Sequence, residues 1–110
     1  MEKFSLEKEI VREIANVGGS YGLKIENYMK EMERLRKALF YLKLRIRRSG
    51  KIPMFSMKLA ISLRKKFFII RERAYEQRKL LIIYREALGL TNHRDVFEVY
   101  NIEKFDRDII

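Results

Sequence analysis

An all-α antiparallel helical hairpin is the fold this chain predicts. Three observations carry that reading: two heptad stripes of apolar residues, a glycine and proline turn between them, and one register in which the stripes face each other. The 110 residues form a single helical domain, 1–110, a small coiled-coil-like bundle in which short N- and C-terminal helices flank the hairpin.

The elements follow in order. Ser5 is a helix cap ahead of Leu6, Ile10, Val11, Ile14 and Val17, with Glu7 and Glu9 at the positive end of the helix dipole. Residues 5–17 are therefore a short helix or an extension of the first hairpin helix. Gly18-Gly19-Ser20-Tyr21-Gly22 follows, and three glycines in five residues each cost a helix about 1 kcal/mol relative to Ala, which predicts a break or hinge. The heptad count nevertheless runs through Val11, Ile14, Gly18 and Tyr21, so the alternative is one long helix with its glycines seating Tyr84.

The first hairpin helix spans 20–48. Ile25, Tyr28, Met32, Leu35, Leu39, Leu42 and Ile46 recur at alternating steps of three and four. Ser49-Gly50-Lys51-Ile52-Pro53 then supplies a Gly suited to the left-handed position past a helix end and a Pro suited to a first turn. The second helix spans 53–89, on the stripe Ala60, Leu63, Phe67, Ile70, Ala74, Gln77, Leu81, Tyr84 and Leu88. An antiparallel pair keeps the sum of facing residue numbers constant. A sum of 102 sets Leu39 against Leu63, Leu35 against Phe67, Met32 against Ile70, Ile25 against Gln77 and Tyr21 against Leu81. Glu26 with Lys30, and Glu33 with Lys37, are spaced for ion pairs along the first helix. Two helices of about 30 residues extend roughly 45 Å. Thr91 is read as the cap of a short C-terminal helix over 91–105 with Val96, Phe97, Tyr100 and Phe105 on its apolar side, against a strand alternative at 95–102. Phe40, Tyr41, Leu44, Ile61, Phe68, Ile69, Tyr75, Ile82 and Ile83 lie off the seam, so other segments, a second copy or a ligand must cover them.

Charge points toward function. The chain carries 25 Lys and Arg against 15 Asp and Glu, a net +10, but residues 1–18 sum to −1 and residues 91–110 to −2. The middle therefore holds +13. Between Glu33 and Glu72 there is no carboxylate, while thirteen cations fall inside. Such a run attracts nucleic acid, an anionic membrane or an acidic protein. The candidate phosphate contacts near the turn are Lys43, Arg45, Arg47, Arg48, Lys51, Lys58, Arg64, Lys65 and Lys66. Phe40, Tyr41 and Phe68 are the candidate stacking or partner contacts, because nucleic-acid binders interleave cations with aromatic faces. The expectation is a homodimeric, non-catalytic protein that binds DNA or RNA through the phosphate backbone, without base specificity. The alternative is an adaptor or chaperone subunit whose off-seam apolar residues dock an acidic or amphipathic-helical protein partner.

Other chemistries find little support. With no Cys and one His, no disulfide, thiolate or multi-histidine metal site can form, and no metal or cofactor is expected. Gly18-Gly19-Ser20-Tyr21-Gly22 lacks the Lys-Ser/Thr of a phosphate loop, and His93-Arg94-Asp95 lacks the companions of a kinase catalytic loop. The acidic tail, Glu98, Glu103, Asp106 and Asp108, is read as a partner for the basic hairpin rather than as an acid–base pair, and no enzyme is expected. Apolar runs are far short of the roughly 18 residues that cross a bilayer, so no transmembrane segment is expected. No signal peptide opens the chain, which suggests a cytoplasmic location. Scarce Gln and Thr beside abundant Ile, Glu, Lys and Arg resemble thermophile usage.

Overall fold

The computed structural model describes the backbone of residues 2–50 and 54–108 and the side chains of 19–50 and 54–106. The expected hairpin is present. Helix α1 (Glu2–Ser49) and helix α2 (Met54–Ala87) pack along each other, followed by the short helix α3 (Arg94–Val99) and a 3₁₀ helix over Ile102–Asp108. The described residues include no strand, so 95–102 is not one. The molecule measures 74 × 22 × 16 Å, close to the roughly 72 Å of a straight 48-residue helix.

That length corrects the predicted break. α1 runs unbroken through Gly18 to Gly22, and residues 5–17 extend the first hairpin helix rather than forming their own. The reason is a close approach. Gly22 is buried, and a Cβ there would meet the hydroxyl of Tyr100 and lie 3.2 Å from its ring carbon Cζ. Gly22 seats Tyr100, and tertiary packing offsets its poor helix propensity, while the surroundings of Gly18, set against Tyr84 by the register, lie outside the described residues. Tyr84 packs on Tyr21 with ring centroids 6.0 Å apart, one turn from the predicted partner Leu81.

The turn behaves as its residues demand. α1 ends at Ser49, and Gly50 takes φ 64°, a left-handed conformation that costs a glycine nothing. Lys51, Ile52 and Pro53 lie outside the described residues. α2 stops at Ala87 rather than 89 because Gly89, at φ 86°, turns the chain out of the helix. The Gly89 and Leu90 N–H groups donate back to the Glu86 and Arg85 carbonyls, the two bonds of a Schellman cap. Leu88, predicted on the seam, is thereby left 42% exposed.

Burial follows the stripes. Ile25, Met32, Leu35 and Leu39 of α1 meet Phe67, Ile70, Ala74 and Leu81 of α2 in one core. Toward the turn, Leu42, Ile46, Ala60 and Leu63 are only half-buried, while Met54 and Phe55 are largely exposed. The difference comes from a third layer that covers the other end. Val96, Ile102 and Phe105 from the C-terminal segment are buried in the same core, whereas Phe97 stays 47% exposed. The predicted helix over 91–105 is in fact two pieces, α3 and the 3₁₀ helix, split at Tyr100-Asn101. α3 starts at Arg94 with His93, not Thr91, at its N-cap and without a side-chain capping bond; the Arg94 N–H donates instead to Asn92 Oδ1 at 3.1 Å.

Candidate nucleic-acid interface

The turn end of the hairpin carries the candidate cations. Lys43, Arg45, Arg47 and Arg48 leave α1 in four different directions, because successive helix positions differ by about 100°. Lys58, Arg64 and Lys65 leave α2 nearby. All seven are exposed, and none makes an ion pair among the described residues. They form a collar around the two-helix tip, about 18 Å long. Lys51 lies outside the described residues. Lys66 differs from the rest, since its Nζ lies 3.8 Å from Glu31 across the helix pair.

The acid-free run is less free than its sequence implies. Arg34 pairs with Glu31 at 2.7 Å, and Arg36 pairs with Glu33 at 2.7 Å, leaving Lys37 at 4.0 Å from the same carboxylate. Arg36 lowers the Glu33 carboxyl below its usual range by hydrogen bonding to it. The spaced pair Glu26 and Lys30 makes no ion pair among the described residues.

Arg71 leads to a feature that sequence reasoning missed. Arg64, Arg71, Arg78 and Arg85 recur every seven residues and so share one face of α2. The C-terminal segment runs antiparallel along that face and supplies an acid to three of them. Arg85 meets Asp95 at 3.1 Å, Arg78 meets Glu103, and Arg71 meets Asp106 at 3.0 Å. Arg78 is the tightest rung: 7% exposed, it donates to both Glu103 oxygens at 2.8 and 2.5 Å and to the Tyr100 carbonyl at 3.0 Å. Its guanidinium also sits over the rings of Tyr75 and Phe97, at 5.2 and 4.7 Å. Hydrogen bonding from Arg78 holds the Glu103 carboxyl below the usual range, and Arg85 does the same for Asp95. Burial pushes the hydroxyls of Tyr75 and Tyr100 up. Of the four, Arg64, nearest the tip, makes no ion pair among the described residues. The seven-residue spacing was the available signal.

The acidic tail thus pairs with the hairpin through Glu103 and Asp106, while Glu98 turns to Arg94 within α3 and the Asp108 side chain lies outside the described residues. His93 and Asp95 do not converge: His93 Nε2 lies 3.2 Å from Glu86, and Asp95 faces Arg85. Among the described residues no three potential metal ligands gather, and no helix is long and apolar enough to cross a membrane.

The three candidate aromatics separate. Phe40 and Tyr41 are 58% and 66% exposed and touch each other edge to face at 5.9 Å. Phe68 is half-buried beside Phe67, under the Arg71 guanidinium, and lines a shallow groove with Ile69 and Tyr75 away from the other two rings. Phe55 is the most exposed ring of the tip and lines a groove of about 440 Å³ with Leu42, Ile46 and Leu59. The chain matches no known protein family, no curated protein and no solved structure.

Proposed function

We propose that this chain is a non-catalytic nucleic-acid-binding protein that grips the phosphate backbone with the basic tip of its hairpin. One observation carries the reading: carboxylates neutralise the arginines of the covered end, while Lys43, Arg45, Arg47, Arg48, Lys58, Arg64 and Lys65 stand exposed and make no ion pair among the described residues. A collar of flexible cations pointing in several directions suits a diffuse polyanion and not a fixed set of base edges. Phe40, Tyr41 and Phe55 offer open rings beside it, on which unpaired bases can stack.

Fluorescence anisotropy with random duplex DNA and single-stranded RNA across a salt series tests this. The expected result is micromolar or tighter binding, with log K falling against log salt at a slope of roughly −3 to −6 for up to seven phosphates. Reversing Arg45, Arg47 and Arg48 to Glu should weaken it at least ~30-fold with helicity unchanged. No binding to either probe at about 50 mM salt overturns the reading.

The apolar groove at the tip favours a second reading, an adaptor that docks an acidic amphipathic helix. Its complex with such a peptide should persist at high salt and be lost on Phe55→Ser. A salt-sensitive complex indifferent to that change counts against it.

A further inference from the structure

The outer face of α2 carries a second pattern, which shares only Lys65 with the basic tip. Lys65, Glu72, Lys79 and Glu86 stand seven residues apart, exposed, with alternating sign. Among the described residues Lys65, Glu72 and Lys79 make no ion pair, and Glu86 takes only His93 at 3.2 Å. α1 covers the seam side of α2, and the C-terminal segment covers its arginine face. Among the described residues nothing covers this third face. Between the charges lie Ile69 and Ile83, 53% and 51% exposed, and a shallow groove of about 780 Å³ opens along Phe68, Ile69, Tyr75 and Glu76.

We propose that this face joins two copies of the chain, α2 against α2, antiparallel about a two-fold axis near Tyr75 and Glu76. Charge complementarity selects the occupant. The row is neutral, so neither a polyanion nor a strongly acidic partner fits it. A second copy at a residue-number sum of 151 sets Lys65 against the partner's Glu86 and Glu72 against the partner's Lys79, and the symmetry repeats both pairs. All four charges of each copy are then matched. The same register lays the partner's Ile83 over the groove at Phe68 and Ile69, and places Arg73 near the partner's Glu76. A parallel arrangement would set every charge against its like. Each seven-residue step drifts about 20° on a straight helix, which a shallow left-handed wrap absorbs. Pairing through the tips is opposed by their unpaired cations.

The test uses charge exchange. Wild type should sediment as a dimer at about 50 µM. The Glu72→Lys/Glu86→Lys variant has an all-basic row, and the Lys65→Glu/Lys79→Glu variant an all-acidic one. Each alone should raise the dimer dissociation constant by about 100-fold or more while keeping its helical circular dichroism, and an equimolar mixture should reassociate one to one. Because the chain has no cysteine, Glu76→Cys should cross-link to itself through a short bismaleimide. Ile83→Cys should not, since its two copies would stand roughly 22 Å apart along the axis. A monomeric wild type, a dimer indifferent to both variants, a mixture that stays monomeric, or self-cross-linking at Ile83→Cys each overturns the proposal.

Discussion

Gly19 and Gly22 lie one turn apart in the same helix and should answer an added methyl group in opposite ways. A Cβ at Gly19 meets nothing within 4 Å, so Gly19→Ala should gain up to about 1 kcal/mol from helix propensity alone. The same change at Gly22 drives a methyl into the Tyr100 hydroxyl and must displace the ring that Gly22 seats, a clash of about 1–3 kcal/mol. Urea denaturation of the two variants should show a higher midpoint for the first and a lower one for the second. Glu103 gives a prediction in pH. Its carboxyl is held low by Arg78, so the pair stabilises the fold above the ordinary glutamate range, and that contribution disappears as pH falls through the lowered value. Half of the Glu103 side chain is exposed, so screening limits the effect to about 1 kcal/mol. Glu103→Gln should flatten the acid limb of stability measured between neutral pH and pH 3, and an unchanged limb would remove Glu103 from the account.

At the scale of elements, the C-terminal segment decides which parts of the hairpin are core and which are surface. Ile102 is fully buried although neither flanking helix piece is longer than seven residues. Segments this short have no stability of their own, so anchoring must come from Val96, Ile102, Phe105 and the three arginine rungs together. Ile102→Ala should therefore destabilise by about 2–4 kcal/mol. Hydrogen exchange should quicken first across α3 and the 3₁₀ helix. The rungs are unequal. Arg78 binds Glu103 through two nitrogens, whereas Arg71 and Arg85 each leave a buried Nε without an acceptor. Arg78→Met should cost more than either Arg71→Met or Arg85→Met in the same denaturation assay.

At the scale of the molecule, charge is sorted lengthwise. The covered end is neutralised by its own carboxylates, the tip is not, and the outer face of α2 between them is balanced in alternating sign. In the proposed antiparallel dimer the two tips point away from each other, roughly 75 Å apart. Two separated basic ends would engage one polyanion by avidity when it is long enough to span them. Anisotropy with nucleic acids of increasing length should thus show an affinity step of at least ~10-fold as the probe exceeds that span, and the Glu72→Lys/Glu86→Lys variant, whose tips are untouched, should lose the step while keeping short-probe binding.

The hairpin, its turn and the basic middle were legible in the amino-acid order, because heptad spacing, the Gly50 turn and the run from Arg34 to Arg71 are patterns between near neighbours. Leu35, Leu39, Phe67 and Ile70 are buried where their stripe placed them. Tertiary structure alone decided which cations are spent. Arg71 and Asp106 stand 35 positions apart, and Arg78 and Glu103 stand 25 apart, so no local pattern reports their meeting. It also decided that glycines at 18, 19 and 22 continue a helix, since the gain from seating Tyr100 on Gly22 comes from a residue nearly eighty positions away. Local sequence sets what each segment prefers, and long-range burial sets which preference prevails.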